Sequence, residues 1–222
     1  TPPHLRDARS RGVPALGRGA VYQIPESQIV VPPIPIPPYW PRCYGLDVGW
    51  RVTAAVWVAR DPSDGVLYAY SEHYRAEAPP LIHAEAIRAR GAWIPGLVDP
   101  ASRGRSQADG RTLFNQYASS RDAGGLGLKL ATADNSVEAG IYRVATLLEQ
   151  GRLKIFATLS HTLSEYRLYR RDDKGRIVKA DDHCLDALRY AVVGFDRHAM
   201  TKPVARDDGP GAHIPGDKRA GY

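Results

Sequence analysis

"CYGLDVGWRVTAAVWVAR", residues 43–60, is the stretch whose reading decides the fold. Two apolar runs flank a centre that holds Gly45, Asp47 and Gly49. The pattern fits one long strand interrupted by glycine, or two strand halves. For Asp47 the plain reading is a turn, because turns favour Asp and Gly. The sharper reading is a metal ligand or a phosphate site, and the rest of the chain must choose between them.

Downstream, "DPSDG" (61–65) is a turn signal, and "VLYAYSEHYR" (66–75) alternates apolar with polar residues and returns as a hairpin partner. Leading prolines, then basic residues and Gly91, predict a helix over 79–91. Short apolar strands are expected at 96–99, 128–132 and 153–157. Helices are expected at 110–124, at 135–151 with Asn135 as its cap, and at 162–171. "RDDKGRIVK" (171–179) reads as a polar hairpin, and "DDHCLDALRYAVVGF" (181–195) as the last strong helix. A hairpin followed by alternating strands and helices predicts an α/β fold with a mixed central sheet flanked by helices.

The ends differ in composition. Residues 1–42 are punctuated by proline, most densely in "VVPPIPIPPYWP" (30–41), and read as an extended linker or arm lying along a surface. Residues 43–196 form the expected folded domain. Residues 197–222, rich in Gly, Pro and charge, read as a flexible tail. The 222 residues are 43% hydrophobic, enough for one domain with a real core. No run approaches a membrane span, the polar, proline-rich start is not expected to act as a signal peptide, and no internal repeat is found. The chain starts with Thr1 and its single Met is Met200, so it is expected to be a piece cut from a longer protein, or a processed one. Two cysteines provide neither a disulfide framework nor zinc spacing, which suits a reducing, cytosolic compartment. A formal charge of +6 suits a polyanionic partner, and it equally suits a solvated, mildly basic surface.

The carboxylates carry the chemistry. Asp47 belongs to the first core strand, Asp99 ends "GLVD", and Asp182 and Asp186 lie four apart on the last helix and share a face. Each has a plain role: Asp47 in a turn, Asp99 at a loop start before Pro100, Asp182 as a helix cap, Asp186 paired with Arg189. Asp186 is harder to dismiss, because an unpaired acid in an apolar stripe costs stability. Taken together, acids at two strand ends and on one helix can converge at one edge of a sheet. Oxygen-only donors suit Mg²⁺ or Mn²⁺. Two such ions about 4 Å apart would clamp the attacking water and the leaving oxygen of a phosphodiester. Gly45 and Gly49 would let backbone and phosphate come close to Asp47.

The stretches "GLDVGW", "LVDPASRGRSQADGRTLFNQY" and "DDHCLDALRYAV" resemble the nuclease domain of the large terminase subunit of tailed bacteriophages. "DHCLDALRYA", following a D-H-x-x-D-A-x-R-Y pattern, is the most specific part. The resemblance covers about residues 8–195. It implies an RNase H-like fold and metal-dependent endonucleolytic cleavage of double-stranded viral DNA during packaging, with two divalent cations, Mg²⁺ or Mn²⁺. It carries the catalytic and metal-binding carboxylates onto Asp47, Asp99 and Asp186, with Asp182 and His183 as further metal-site neighbours. It also implies an N-terminal ATPase motor in the full-length protein, a portal and a small terminase subunit as partners, and the cytoplasm of an infected bacterial host as the place of action. The chain has no G-x-x-x-x-G-K-[ST] loop, so it is expected to have no packaging ATPase activity of its own.

Basic residues beside these acids are expected to meet the DNA backbone: Arg103, Arg105 and Arg111 after Asp99, then Lys174, Arg176 and Lys179 with Arg170 and Arg171 in the hairpin. The four tryptophans read as packing residues, Trp50 with the least support. His73, His83 and His161 receive no role. Three other readings stay open: an actin- or sugar-kinase-like nucleotide-binding domain, a junction resolvase of the same fold, and a non-catalytic DNA-docking module.

Overall fold

A computed structural model describes residues 19–103 and 112–203. Residues 43–60 are two strands, β2 (Arg42–Asp47) and β3 (Thr53–Arg60), antiparallel, with Asp47 opposite Ala54. Of the two readings of this stretch, the interrupted single strand is excluded. β4 (Leu67–Arg75) pairs antiparallel with β3, as the alternation predicts. With β1 (Val30–Val31), β5 (Gly96–Val98), β6 (Leu130–Thr132) and β7 (Leu153–Phe156), the sheet runs β1-β7-β4-β3-β2-β5-β6. Every adjacent pair except the two that involve β3 is parallel, so six strands point one way. The carboxyl ends of β2 and β5 therefore share one edge.

Both faces of the sheet are covered. Cys43, Ala54, Val56 and Val58 pack with helices α4 (Val137–Glu149), α5 (Ser160–Leu168) and α6 (His183–His198). Tyr44, Leu46, Ala55 and Trp57 face the other way, toward α2 (Pro80–Ala89) and α3 (Leu113–Ala118). Strand residues alternate sides, so Asp47, in step with Cys43 and Gly45, points toward α6. Gly45 explains how close that helix comes. A Cβ there would lie 1.8 Å from the Ala187 carbonyl oxygen.

The structure departs from expectation in several places. Residues 20–31 are not a surface arm. Tyr22, Ile24 and Ile29 are buried in the core, a short α1 (Glu26–Ile29) leads into β1, and β1 pairs with β7. These apolar side chains precede the dense prolines and gain more from burial than from solvent. The extended run after Val31 is tied down by Arg42, whose guanidinium donates to the carbonyls of Ile36 (2.8 Å) and Pro37 (2.9 Å). The helix expected over 110–124 is only α3, followed by a separate 3-10 turn at Arg121–Ala123. Asn135 does not cap α4. The N-cap is Ser136, and the Asn135 amide lies 3.4 Å from the Asp99 carboxylate. Asp182 occupies the N-cap position of α6, but its side chain makes no capping bond. Glu165 caps that helix instead, accepting from the backbone N–H of Cys184 (2.7 Å) and Leu185 (3.1 Å). Among the described residues no helix is long and apolar enough to cross a membrane.

Candidate active site

Asp47 ends β2 and Asp99 follows β5, with Leu46 and Val98 the last register pair between them. Leu97 packs on the α6 side and Val98 on the other, so the alternation that turns Asp47 toward α6 turns Asp99 the same way. In open α/β sheets, the carboxyl ends of parallel strands are where ligands bind. α6 starts over this edge. His183, its first residue, places Nδ1 2.7 Å from Oδ2 of Asp47. Asp186, one turn on, is buried, as is Asp182.

The electrostatics are those of crowded acids. Burial raises the Asp47 carboxyl above its usual range. The His183 contact opposes that shift, and Asp186 and Asp99 add to it. The His183 imidazole is raised in turn, first by its hydrogen bond to Asp47. Tyr190, buried below the site, is held protonated by burial and by the carboxylates of Asp186, Asp99 and Asp47. Asp186 and Asp99 thus both act on Asp47, and all three acids act on Tyr190.

Cations of the chain itself answer this charge. Lys179 Nζ lies 3.1 Å from Oδ2 of Asp182 and 3.1 Å from Oδ2 of Asp186. Burial works against its charge, but the two carboxylates outweigh that and raise its pKa. Arg189 Nη2 is 2.9 Å from Oδ1 of Asp186, the plain pairing that the helix spacing allowed. Gly140 on α4 makes room for that arginine, since a Cβ there would lie 2.7 Å from its Cδ. Among the described residues no three His, Cys, Asp or Glu side chains already stand as a metal-ligand set. His183, Lys179 and Arg189 hold the carboxylates in pairs instead.

The donor set still suits a hard divalent cation. Carboxylate oxygens from two adjacent strand ends face a helix that brings a third acid. The expected basic contacts divide. Lys179, though exposed, lies on the acids, bonded to Asp182 and Asp186. Arg176 pairs with Asp172 at 3.0 Å and Arg171 with Glu138 at 2.6 Å. Lys174 sits exposed in the turn that Asp172 organises. Arg103 ends a 3-10 turn (Pro100–Arg103), and Arg105 and Arg111 lie outside the described residues.

Two carboxylates escaped the sequence reading. Glu165 is buried beneath the α6 N-terminus, where burial raises its pKa to about 8. Glu72 on β4 accepts from the N–H groups of His161 and Thr162, each at 2.9 Å, and so caps α5. The signal available for Glu165 was the one that exposed Asp186: an acid set among buried apolar neighbours, here Leu163 and Tyr166.

Comparison with known proteins agrees with this architecture. A family model described as "Terminase RNaseH-like domain" matches residues 45–194. The large terminase subunit of Salmonella phage P22 is 34% identical over 196 residues, which are 85% of this chain and 38% of that protein. The chain therefore spans about two fifths of that relative's length. The solved P22 large terminase nuclease domain superposes with a TM-score of 0.73 at 29% identity, covering 84% of this chain and 97% of that one. The nuclease domain of the bacteriophage SPP1 large terminase, solved with bound Mn, shares the fold at a TM-score of 0.54 and 17% identity, covering 76% and 97%.

Proposed function

The chain belongs to the terminase RNase H-like domain family, and from that premise we propose that it is an endonuclease that hydrolyses double-stranded viral DNA during packaging. Asp47, Asp99 and Asp186, with Asp182 alongside, would hold divalent cations, Mg²⁺ or Mn²⁺, which when bound would lower the pKa of water and stabilise the departing oxygen of the phosphodiester. The observation that carries this reading is the placement of Asp47 and Asp99 on adjacent parallel strand ends, both turned toward the helix that bears Asp186.

The chain's own residues prepare the site. His183 fixes the Asp47 carboxylate through Oδ2. Arg189, buried and bonded to Oδ1 of Asp186, sets that side chain's orientation. Lys179 neutralises Asp182 and Asp186 and must give them up when a cation enters. Mn²⁺ supports at least as much cleavage as Mg²⁺, which releases its waters reluctantly. Sequence preference is slight, because contacts to the phosphate backbone carry no sequence information. In the full-length protein the domain works beside an N-terminal ATPase motor, with a portal and a small terminase subunit, in the host cytoplasm.

Supercoiled plasmid incubated with the purified chain and Mn²⁺ tests this. Nicked and linear products are expected from the wild type and none from Asp47→Ala. No cleavage above the metal-free control, or equal cleavage by the variant, overturns the reading.

A further inference from the structure

Of the four tryptophans, Trp40 and Trp57 are buried and Trp93 is partly covered, whereas Trp50 is 72% exposed. It stands three residues beyond Asp47, in the loop between β2 and β3. That loop is tightly built. Thr53 Oγ1 donates to the Gly49 carbonyl at 2.9 Å, and a Cβ on Gly49 would come within 2.8 Å of the Val52 carbonyl oxygen. The Glu77 N–H donates to the Trp50 carbonyl at 3.2 Å, and Glu77 adopts φ of 47° in that turn. The backbone of Trp50 is therefore anchored from two sides while its indole meets solvent. Arg51 follows it, and Arg75 lies opposite Thr53 in the β3–β4 register. Both arginines are exposed, and among the described residues neither forms an ion pair. The one acid in the turn, Glu77, meets the loop through its backbone.

We propose that Trp50 is a DNA-contacting wedge: its indole packs against a base step of duplex DNA beside the phosphate presented to Asp47, while Arg51 and Arg75 hold the flanking phosphates. This rests on the nuclease reading above and adds where the duplex lies. A tightly anchored aromatic with two rotatable side-chain bonds loses little entropy on contact. Apolar wedges partly unstack base steps, and aromatic contacts to bases tolerate any sequence. A duplex is also the partner that matches an exposed indole in a loop with Arg51 and Arg75, exposed guanidiniums that form no ion pair among the described residues.

The full chain, titrated with a labelled linear duplex oligonucleotide without divalent metal, tests this by fluorescence anisotropy across a salt series. Trp50→Ala is expected to weaken binding about tenfold with the salt slope unchanged, since no phosphate contact is lost. Trp50→Phe stays near wild type. Arg51→Ala with Arg75→Ala lowers the slope by about two. Tyr142→Ala, another exposed aromatic on α4, changes nothing. With Mn²⁺ added, the Trp50→Ala cleavage rate falls while Mn²⁺ affinity holds. If Trp50→Ala binds and cuts duplex as the wild type does, or changes the salt slope, the wedge is overturned. If the wild type neither binds nor cuts, the nuclease reading has failed and the wedge falls with it.

Discussion

Nδ1 of His183 and Oδ2 of Asp47 lie 2.7 Å apart, joining the first residue of α6 to the last residue of β2 across 136 positions of chain. The contact orients the carboxylate that the nuclease reading makes central. Removing an orienting partner of this kind lowers metal affinity or activity by about 10–100-fold. His183→Ala is expected to lose that much in a Mn²⁺ titration and in plasmid cleavage, with His183→Asn intermediate. Wild-type values for His183→Ala in both assays would remove His183 from the site.

Lys179 makes two opposite effects separable. Its ammonium is the tethered cation between Asp182 and Asp186. Lys179→Ala leaves those acids to repel each other, a loss of about 1 kcal/mol, which lowers the metal-free melting temperature by about 2–4 °C in a chain of this size. The same change removes a competitor for the carboxylates, so calorimetry should show Mn²⁺ binding several-fold tighter. Weaker Mn²⁺ binding by the variant would mean that Lys179 assists the cation and does not compete with it.

Gly45 is required by packing. Its missing Cβ is where the Ala187 carbonyl oxygen sits, at 1.8 Å, with Ala191 N at 3.0 Å. Both are backbone atoms of α6 and have no rotamer with which to yield. Gly45→Ala must push α6 off the sheet, at a cost at or above the 1–3 kcal/mol typical of overpacking. A large fall in the urea midpoint, with loss of cleavage, is expected. A variant as stable as the wild type would refute the packing shown for β2 and α6.

His73 and His83 set an acid limit on stability away from the carboxylates. His83 Nε2 lies 3.1 Å from the Ala78 carbonyl and so donates to it, which leaves Nδ1 to accept from His73 Nε2 at 2.9 Å. Burial, then the neighbouring His83, Arg90 and Arg75, lower the His73 pKa from 6.5 to about 4. Burial lowers His83 as well. A histidine with a depressed folded pKa binds fewer protons than the unfolded chain. Its contribution is therefore complete above pH 6.5 and is lost as pH falls toward about 4. The slope is up to about 1.4 kcal/mol per pH unit for one proton. His73→Gln keeps a donor toward His83 and cannot titrate, so its urea midpoint should fall less between neutral and mildly acid pH. An acid loss equal to the wild type's would show that the pair does not titrate as described.

Local pattern made much of this protein legible. Alternation over 66–75 and helical spacing over 135–151 and 181–195 identified the mixed sheet and its covering helices, and an acid in the apolar stripe of the last helix, with acids at two strand ends, singled out Asp47, Asp99 and Asp186 as candidates. Such signals are periodic, and period alone says which side of an element a residue takes. Which residues finally meet depends on register and packing between distant segments, and no local pattern carries that. Tertiary structure decided that residues 43–60 turn back at Gly49, that Tyr22 and Ile29 enter the core, and that Glu165, not Asp182, caps α6. It also set Lys179 between two acids and left Trp50 exposed in the loop that follows Asp47. The chain encodes the carboxylates, but only the closure of α6 over the ends of β2 and β5 gathers them at one edge, because burial against Gly45 fixes how near that helix can come.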